Sequence, residues 1–150
     1  MTIAGTKPTP TPTPTPTTPT TPTTVPRVAR DAATARFFDA AARGELLLPV
    51  CPQGHASGPA AQRCERCADP ELTPTPASGR ARLVTWSVVP GRAPGAPVTV
   101  LAVGELAEGP WWWSHLLRAP GAELRVGLPL RVAFVHPDAG TEAVPVFVPA

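Results

Sequence analysis

Four soft metal donors packed into residues 51–67 constrain this chain more tightly than any other feature. Cys64-Glu65-Arg66-Cys67 is an intact C-x-x-C knuckle, and the upstream run Cys51-Pro52-Gln53-Gly54-His55 offers a second pair of donors. A tetrahedral zinc ion needs four ligands, and two tight turns that each aim two side chains at one point supply them. The usual second Cys of the first knuckle is absent, so the expected set is Cys51, His55, Cys64 and Cys67, with Gly54 permitting the unusual turn. All four positions are then filled by protein, which leaves no room for water or substrate and makes the expected zinc structural, one per chain. The alternative is a ribbon without metal, with His55 at the surface and the Cys simply buried. Three Cys in this spacing suit chelation in a reducing cytosol better than a disulfide framework. The N-terminus lacks a basic start followed by an apolar run, so a cytoplasmic location is expected.

The foldable part is shorter than the chain. Of 23 Pro, eight precede Arg27, in a Thr-Pro tract that holds almost nothing able to enter a core. Pro fixes φ and lacks a donor, and no apolar surface offsets the entropy of ordering, so residues 1–30 are expected to be a disordered, semi-extended, polyproline-like tail. It reads as a spacer, as a ligand for Pro-reading domains, or as an extension with no partner. Asp31 to Arg43 is Ala-rich, with Phe37 and Phe38 toward one side and Gly44 closing it, which predicts a short helix. Two adjacent Phe on so small a helix need a wall, either the chain's own core or a partner's groove. Glu45 to Val50 reads as a strand entering the Cys region.

Helix and entry strand thus occupy 31–48, the metal ribbon 49–72, and a third unit 73–150. Pro70 to Ser78 is polar and Pro-rich and is taken as the change of domain. Beyond Gly79, five runs have strand character: Arg80–Val89, Val98–Leu106, Trp111–Leu117, Leu128–Val135 and Val144–Val148. Five short strands separated by turn signals predict a small barrel in a mainly β protein.

Trp111-Trp112-Trp113 is the oddest feature of that barrel, because alternate strand residues face opposite ways. With Trp112 inward, Trp111 and Trp113 lie outside, as a partner or ligand surface or under the barrel's own helix. Arg80, Arg82 and Arg131 could offer charge-assisted contacts to a ligand's phosphates, although solvated Arg is the commoner role. His115 and His136 stand apart from any Cys, Ser or carboxylate that would make a nucleophile or base, and no phosphate-binding Gly loop is present, so no catalytic machinery is expected. No apolar run reaches the ~18 residues of a membrane-spanning helix. The net charge of +2, with a single Lys, gives no field for polyanions. Barrels and ribbons do serve single-stranded nucleic acid, the alternative function, but three of the four Trp are contiguous here and Tyr is missing, so base-stacking aromatics are not spread along a basic groove.

These residues also resemble a known family. Phe37-Phe38 with Gly44-Glu45-Leu46, then Cys51, Cys64 and Cys67, then Gly79-Arg80-Ala81 with Val84-Thr85-Trp86-Ser87-Val88-Val89, then Val103–Leu106 with Glu108-Gly109, and finally Gly127–Phe134 follow a particular order. That order is similar to the rubredoxin-like zinc-ribbon plus OB-fold proteins that accompany thiolases and acyl-CoA hydratases. The resemblance covers about Ala33 to Ala150. It implies an N-terminal helix, a zinc ribbon and a five-stranded OB-fold. It also implies a non-catalytic subunit that pairs with a thiolase-like or hydratase partner and holds or passes acyl-CoA, with Phe37, Phe38, Trp111, Trp113, Arg80, Arg82 and Arg131 on the contact surface. The missing knuckle Cys, the Thr-Pro tail and the Trp triplet depart from the family's pattern.

Overall fold

A computed structural model describes residues 25–119 and 121–150. The first 24 residues of the expected tail lie outside the described part. Its last six do not run free. Val25 is buried, Arg27 pairs with Asp138, and Arg30 bridges Glu142 at 2.6 Å and Asp39 at 2.7 Å. The segment ties the helix to the loop before the last strand.

Helix α1 spans Ala35–Ala42. It is shorter than the sequence predicts because the Asp31 carboxylate accepts from the Thr34 amide at 2.8 Å, holding residues 31–34 in a turn that competes with helix. Its C-terminus is a Schellman motif. Gly44 takes φ +77° while its N–H donates to the Ala41 carbonyl, and the Glu45 N–H donates to that of Ala40. Phe38 is 8% exposed, and half-buried Phe37 packs on the main core, their rings edge-to-face at 5.4 Å. Both Phe therefore find their wall within the chain, which corrects their expected place on a contact surface.

Strand β1 (Leu47–Val50) pairs antiparallel with β2 (Thr73–Pro76), a strand the sequence did not announce. The TPTP run reads as linker, yet Pro74 sits opposite Pro49 in an isolated two-stranded ribbon, where Pro is tolerated because every strand is an edge. The expected boundary between 72 and 73 falls at the foot of this ribbon. Leu46 and Leu48 enter the same core as Leu83, Leu106, Leu130 and Phe147, so ribbon and barrel share one interior.

Five strands make the second sheet: β3 (Arg80–Val89), β4 (Thr99–Leu106), β5 (Trp111–His115), β6 (Pro129–Val135) and β7 (Val144–Pro149), in the order β5-β4-β3-β6-β7. The sheet curls until a parallel bridge between Leu116 and Phe147 joins its two ends, with the Leu117 N–H donating to the Phe147 carbonyl at 2.9 Å. A bulge between Leu83 and Thr85 bends β3 and restores Trp86 to the inner face, opposite Ala102. Gly104 lies where the Phe147 ring crosses β4, and a Cβ there would meet the ring at 2.6 Å. Among the described residues no helix is long and apolar enough to cross a membrane.

Candidate metal centre and docking surface

The ribbon brings together the four donors expected from the spacing. The donor atoms of Cys51, His55, Cys64 and Cys67 all lie within 4.8 Å of one another. Cys51 Sγ and Cys67 Sγ are 3.8 Å apart, as are Cys64 Sγ and His55 Nδ1. Zinc–sulfur bonds of ~2.3 Å imply tetrahedron edges of ~3.8 Å, the separation of these two pairs.

Local turns create this geometry. In the first knuckle the Cys51 carbonyl accepts from Gly54, which adopts φ +81°, and the Cys51 N–H donates to the His55 carbonyl at 3.1 Å. The second knuckle closes on itself, with the Cys64 N–H donating to Asp69 and its carbonyl accepting from Ala68. Backbone N–H groups of His55 and Arg66 donate to the sulfurs of Cys51 and Cys64, each at 3.4 Å. Fully buried Ser57 joins the two knuckles, its hydroxyl accepting from the Glu65 N–H at 3.1 Å. Sequence reasoning missed Ser57, because nothing in a lone Ser between two turns marks it as a brace.

Electrostatics favour a thiolate at Cys64 but not at Cys67, where the Asp69 backbone hydrogen bond pulls the thiol down and contact with Cys64, burial and contact with Cys51 together push it up by more. Burial pushes the Cys64 thiol up, but hydrogen bonds from the Cys67 and Arg66 backbones and from the Cys67 and Cys51 thiols outweigh it and bring Cys64 down to about 6. A thiolate is the form that binds metal. Cys51 and Cys64 are buried and His55 is half-buried, whereas Cys67 is exposed. The cluster could therefore hold a metal ion near the surface with every coordination position of a tetrahedron filled by protein.

The outer face of β3, β4 and β5 carries the second feature. Register places Trp113 beside Val103 and Thr85, Trp111 beside Glu105 and Arg82, and His115 beside Leu101 and Ser87. Trp111 is 63% and Trp113 67% exposed, while Trp112 points inward with its ring 5.2 Å from that of Phe147. The expected split of the triplet is therefore the one observed, and α1 does not cover the outer pair. A shallow hollow of about 240 Å³ beside Trp113 is lined by Thr85, Leu101 and Val103. Burial lowers the His115 pKa from its ordinary value, which suits a neutral ring on this apolar face.

Arg80, Arg82 and Arg131 are exposed and gather at one end of the sheet, Arg80 directly opposite Arg131. Like charges facing across a strand pair are unfavourable, and among the described residues none of the three forms an ion pair. Arg80 and Arg82 line a groove of about 450 Å³ together with Glu105, Ala107 and Pro129. His136 belongs to no such group, its Nδ1 lying 2.9 Å from the Thr141 carbonyl.

Comparison with known proteins bears on the barrel first. Residues 74–135 match the family model described as ChsH2, C-terminal OB-fold domain. The barrel is similar to that OB-fold domain. A chain of the Ltp2–ChsH2(DUF35) aldolase is similar in structure, with a TM-score of 0.65 at 23% identity over 83% of this chain and 98% of that one. A DUF35-family protein of unknown function from Sulfolobus solfataricus has a TM-score of 0.55 at 13% identity, over 79% of this chain and 86% of its own. No curated protein matches the chain. The OB-fold thus sits behind a Cys/His ribbon, the two-part architecture that the motif order implies.

Proposed function

We propose that this chain is a non-catalytic accessory subunit that docks a thiolase-like or acyl-CoA hydratase partner in the cytoplasm. The observation that carries the reading is the exposure of Trp111 and Trp113 side by side on an OB-fold face. Large aromatic rings in water are what the centre of a protein interface looks like before its partner arrives. Likeness to the ChsH2 chain of the Ltp2–ChsH2 aldolase supports a partner of that kind. The ribbon's four donors hold structural zinc, which fixes the two knuckles against the barrel. The groove beside Arg80 and Arg82, with Arg131 adjacent, suits the phosphates of an acyl-CoA of the sort used in lipid or sterol metabolism.

The test is recovery of the tagged chain from its native cell, with the bound protein identified by mass spectrometry. Trp111→Ser with Trp113→Ser should abolish recovery of a thiolase-fold or hydratase subunit while the monomer keeps its melting temperature. Unchanged recovery would remove the docking face from consideration. Turnover of an acyl-CoA by the isolated chain would instead make it an enzyme, and salt-dependent retention on single-stranded DNA would favour the nucleic-acid reading.

A further inference from the structure

The ribbon shields its three sulfurs unequally. Cys51 and Cys64 are 4% and 2% exposed, whereas Cys67 stands at the surface. We infer that Cys67 is an oxidant-sensitive site, which hydrogen peroxide links to Cys51 as a disulfide, freeing the metal ion from the ribbon. The proposal rests on the zinc reading above and goes beyond a purely structural ion.

Geometry singles out this pair. Cys67 Sγ lies 3.8 Å from Cys51 Sγ and its thiol donates to Gln53 Oε1 at 3.4 Å, so it leans on the first knuckle. Cys64, the alternative partner, faces His55 Nδ1 at 3.8 Å and accepts from the Arg66 N–H at 3.4 Å. Its knuckle is also closed by its own backbone, the Cys64 N–H donating to Asp69 and its carbonyl accepting from Ala68, so a bridge from Cys64 to Cys67 would strain a finished turn. Cys51 and Cys67 belong to separate turns. Each turn can tip toward the other as the sulfurs close from 3.8 Å to the ~2.05 Å of a disulfide. Oxidant-sensitive cysteines are accessible thiolates with a second sulfur close by, and in the metal-loaded ribbon Cys67 meets all of these conditions.

The chemistry balances. The Cys67 thiolate attacks one peroxide oxygen, the O–O bond breaks and hydroxide leaves, giving the Cys67 sulfenic acid. The Cys51 thiolate then attacks that sulfur, the S–O bond breaks, and a second hydroxide leaves as the S–S bond forms. Two electrons pass from the sulfurs to the peroxide. Only Cys64 and His55 then remain as donors, half of a tetrahedral set and too few to hold zinc against a competing chelator. A thiol reductant returns both sulfurs and rebuilds the site. A subunit with such a ribbon loses its metal under oxidising conditions and regains it on reduction.

The experiment uses the full chain, with its zinc measured first by elemental analysis. The chain is exposed to hydrogen peroxide at a level that oxidises glutathione, then unfolded, alkylated with iodoacetamide and digested with trypsin. Cleavage after Arg43, Arg63, Arg66 and Arg80 puts each Cys on its own peptide: 44–63, 64–66 and 67–80. The intact mass should fall by two hydrogens, alkylation should drop from three Cys to one, and peptides 44–63 and 67–80 should be joined. One zinc per chain should appear to a colorimetric chelator, and dithiothreitol should restore three alkylated Cys. A link between 64–66 and 67–80, sulfinic acid on an unlinked Cys67, or three alkylated Cys from a zinc-loaded chain would each overturn the proposal. A chain holding no zinc before the oxidant is added would overturn the proposal together with the reading beneath it, so the two failures are told apart.

Discussion

Ala68 takes φ +59°, a left-handed conformation that L-residues avoid because Cβ crowds the backbone, at a cost of about 1 kcal/mol. It does so because the turn that aims Cys64 and Cys67 at one point requires its N–H on the Cys64 carbonyl at 2.9 Å. Ala68→Gly should therefore stabilise the protein, by less than about 1 kcal/mol because the unfolded chain gains entropy with Gly, seen as a slightly higher urea midpoint with unchanged slope. Gly104 is the reverse case. Ala there would press its methyl into the Phe147 ring, and overpacking of that kind costs about 1–3 kcal/mol, measurable as a lower melting temperature. The metal donors were legible because ligand chemistry confines them to short spacings. The need for Gly at 104 was not, since it is imposed by a ring on a strand distant in sequence.

At the scale of elements, the ribbon shows how far composition can mislead. Thr73–Pro76 has the same residues as the tail, and only its partner, Leu47–Val50, makes it a strand. Strands β3 to β7 could be found from their own alternation, whereas β2 has none and is defined by what it lies against. The bulge after Leu83 was equally hidden, although the inward return of Trp86 depends on it. Two outcomes belong here. On the proposed reading, stripping metal with a chelator should lower the melting temperature, because an ion held by all four donors would favour the folded ribbon over the unfolded chain, and added zinc should restore it. The second concerns the segment tied down by Arg30. The Arg30 hydrogen bond holds the Glu142 carboxyl below its usual range, so this contribution is present above the unfolded value of about 4.3 and fades as pH falls through the lower folded value. The protection factors of amides in residues 27–34, corrected for the slower intrinsic exchange in acid, should fall over that window, and Glu142→Gln should lower them likewise at neutral pH.

For the whole molecule, the division into ribbon and barrel is one of topology rather than of cores. Leu46 and Leu48 from the ribbon side pack with Leu83, Leu130 and Phe147, so calorimetry of the metal-loaded chain should give a single transition, and two resolved peaks would show the units to be independent. The number of barrel strands could be read from the sequence, but not their order in the sheet nor the parallel closure of Leu116 on Phe147, which no local pattern encodes. That closure also governs how the protein comes into being. Val146 and Phe147, both fully shielded from solvent, lie on β7, so during synthesis the leucines of β3, β4 and β6 have no lid until that strand has left the ribosome. Nascent chains halted before Val144 should be sticky and quickly degraded, and chaperones that shelter greasy surfaces should be found on them.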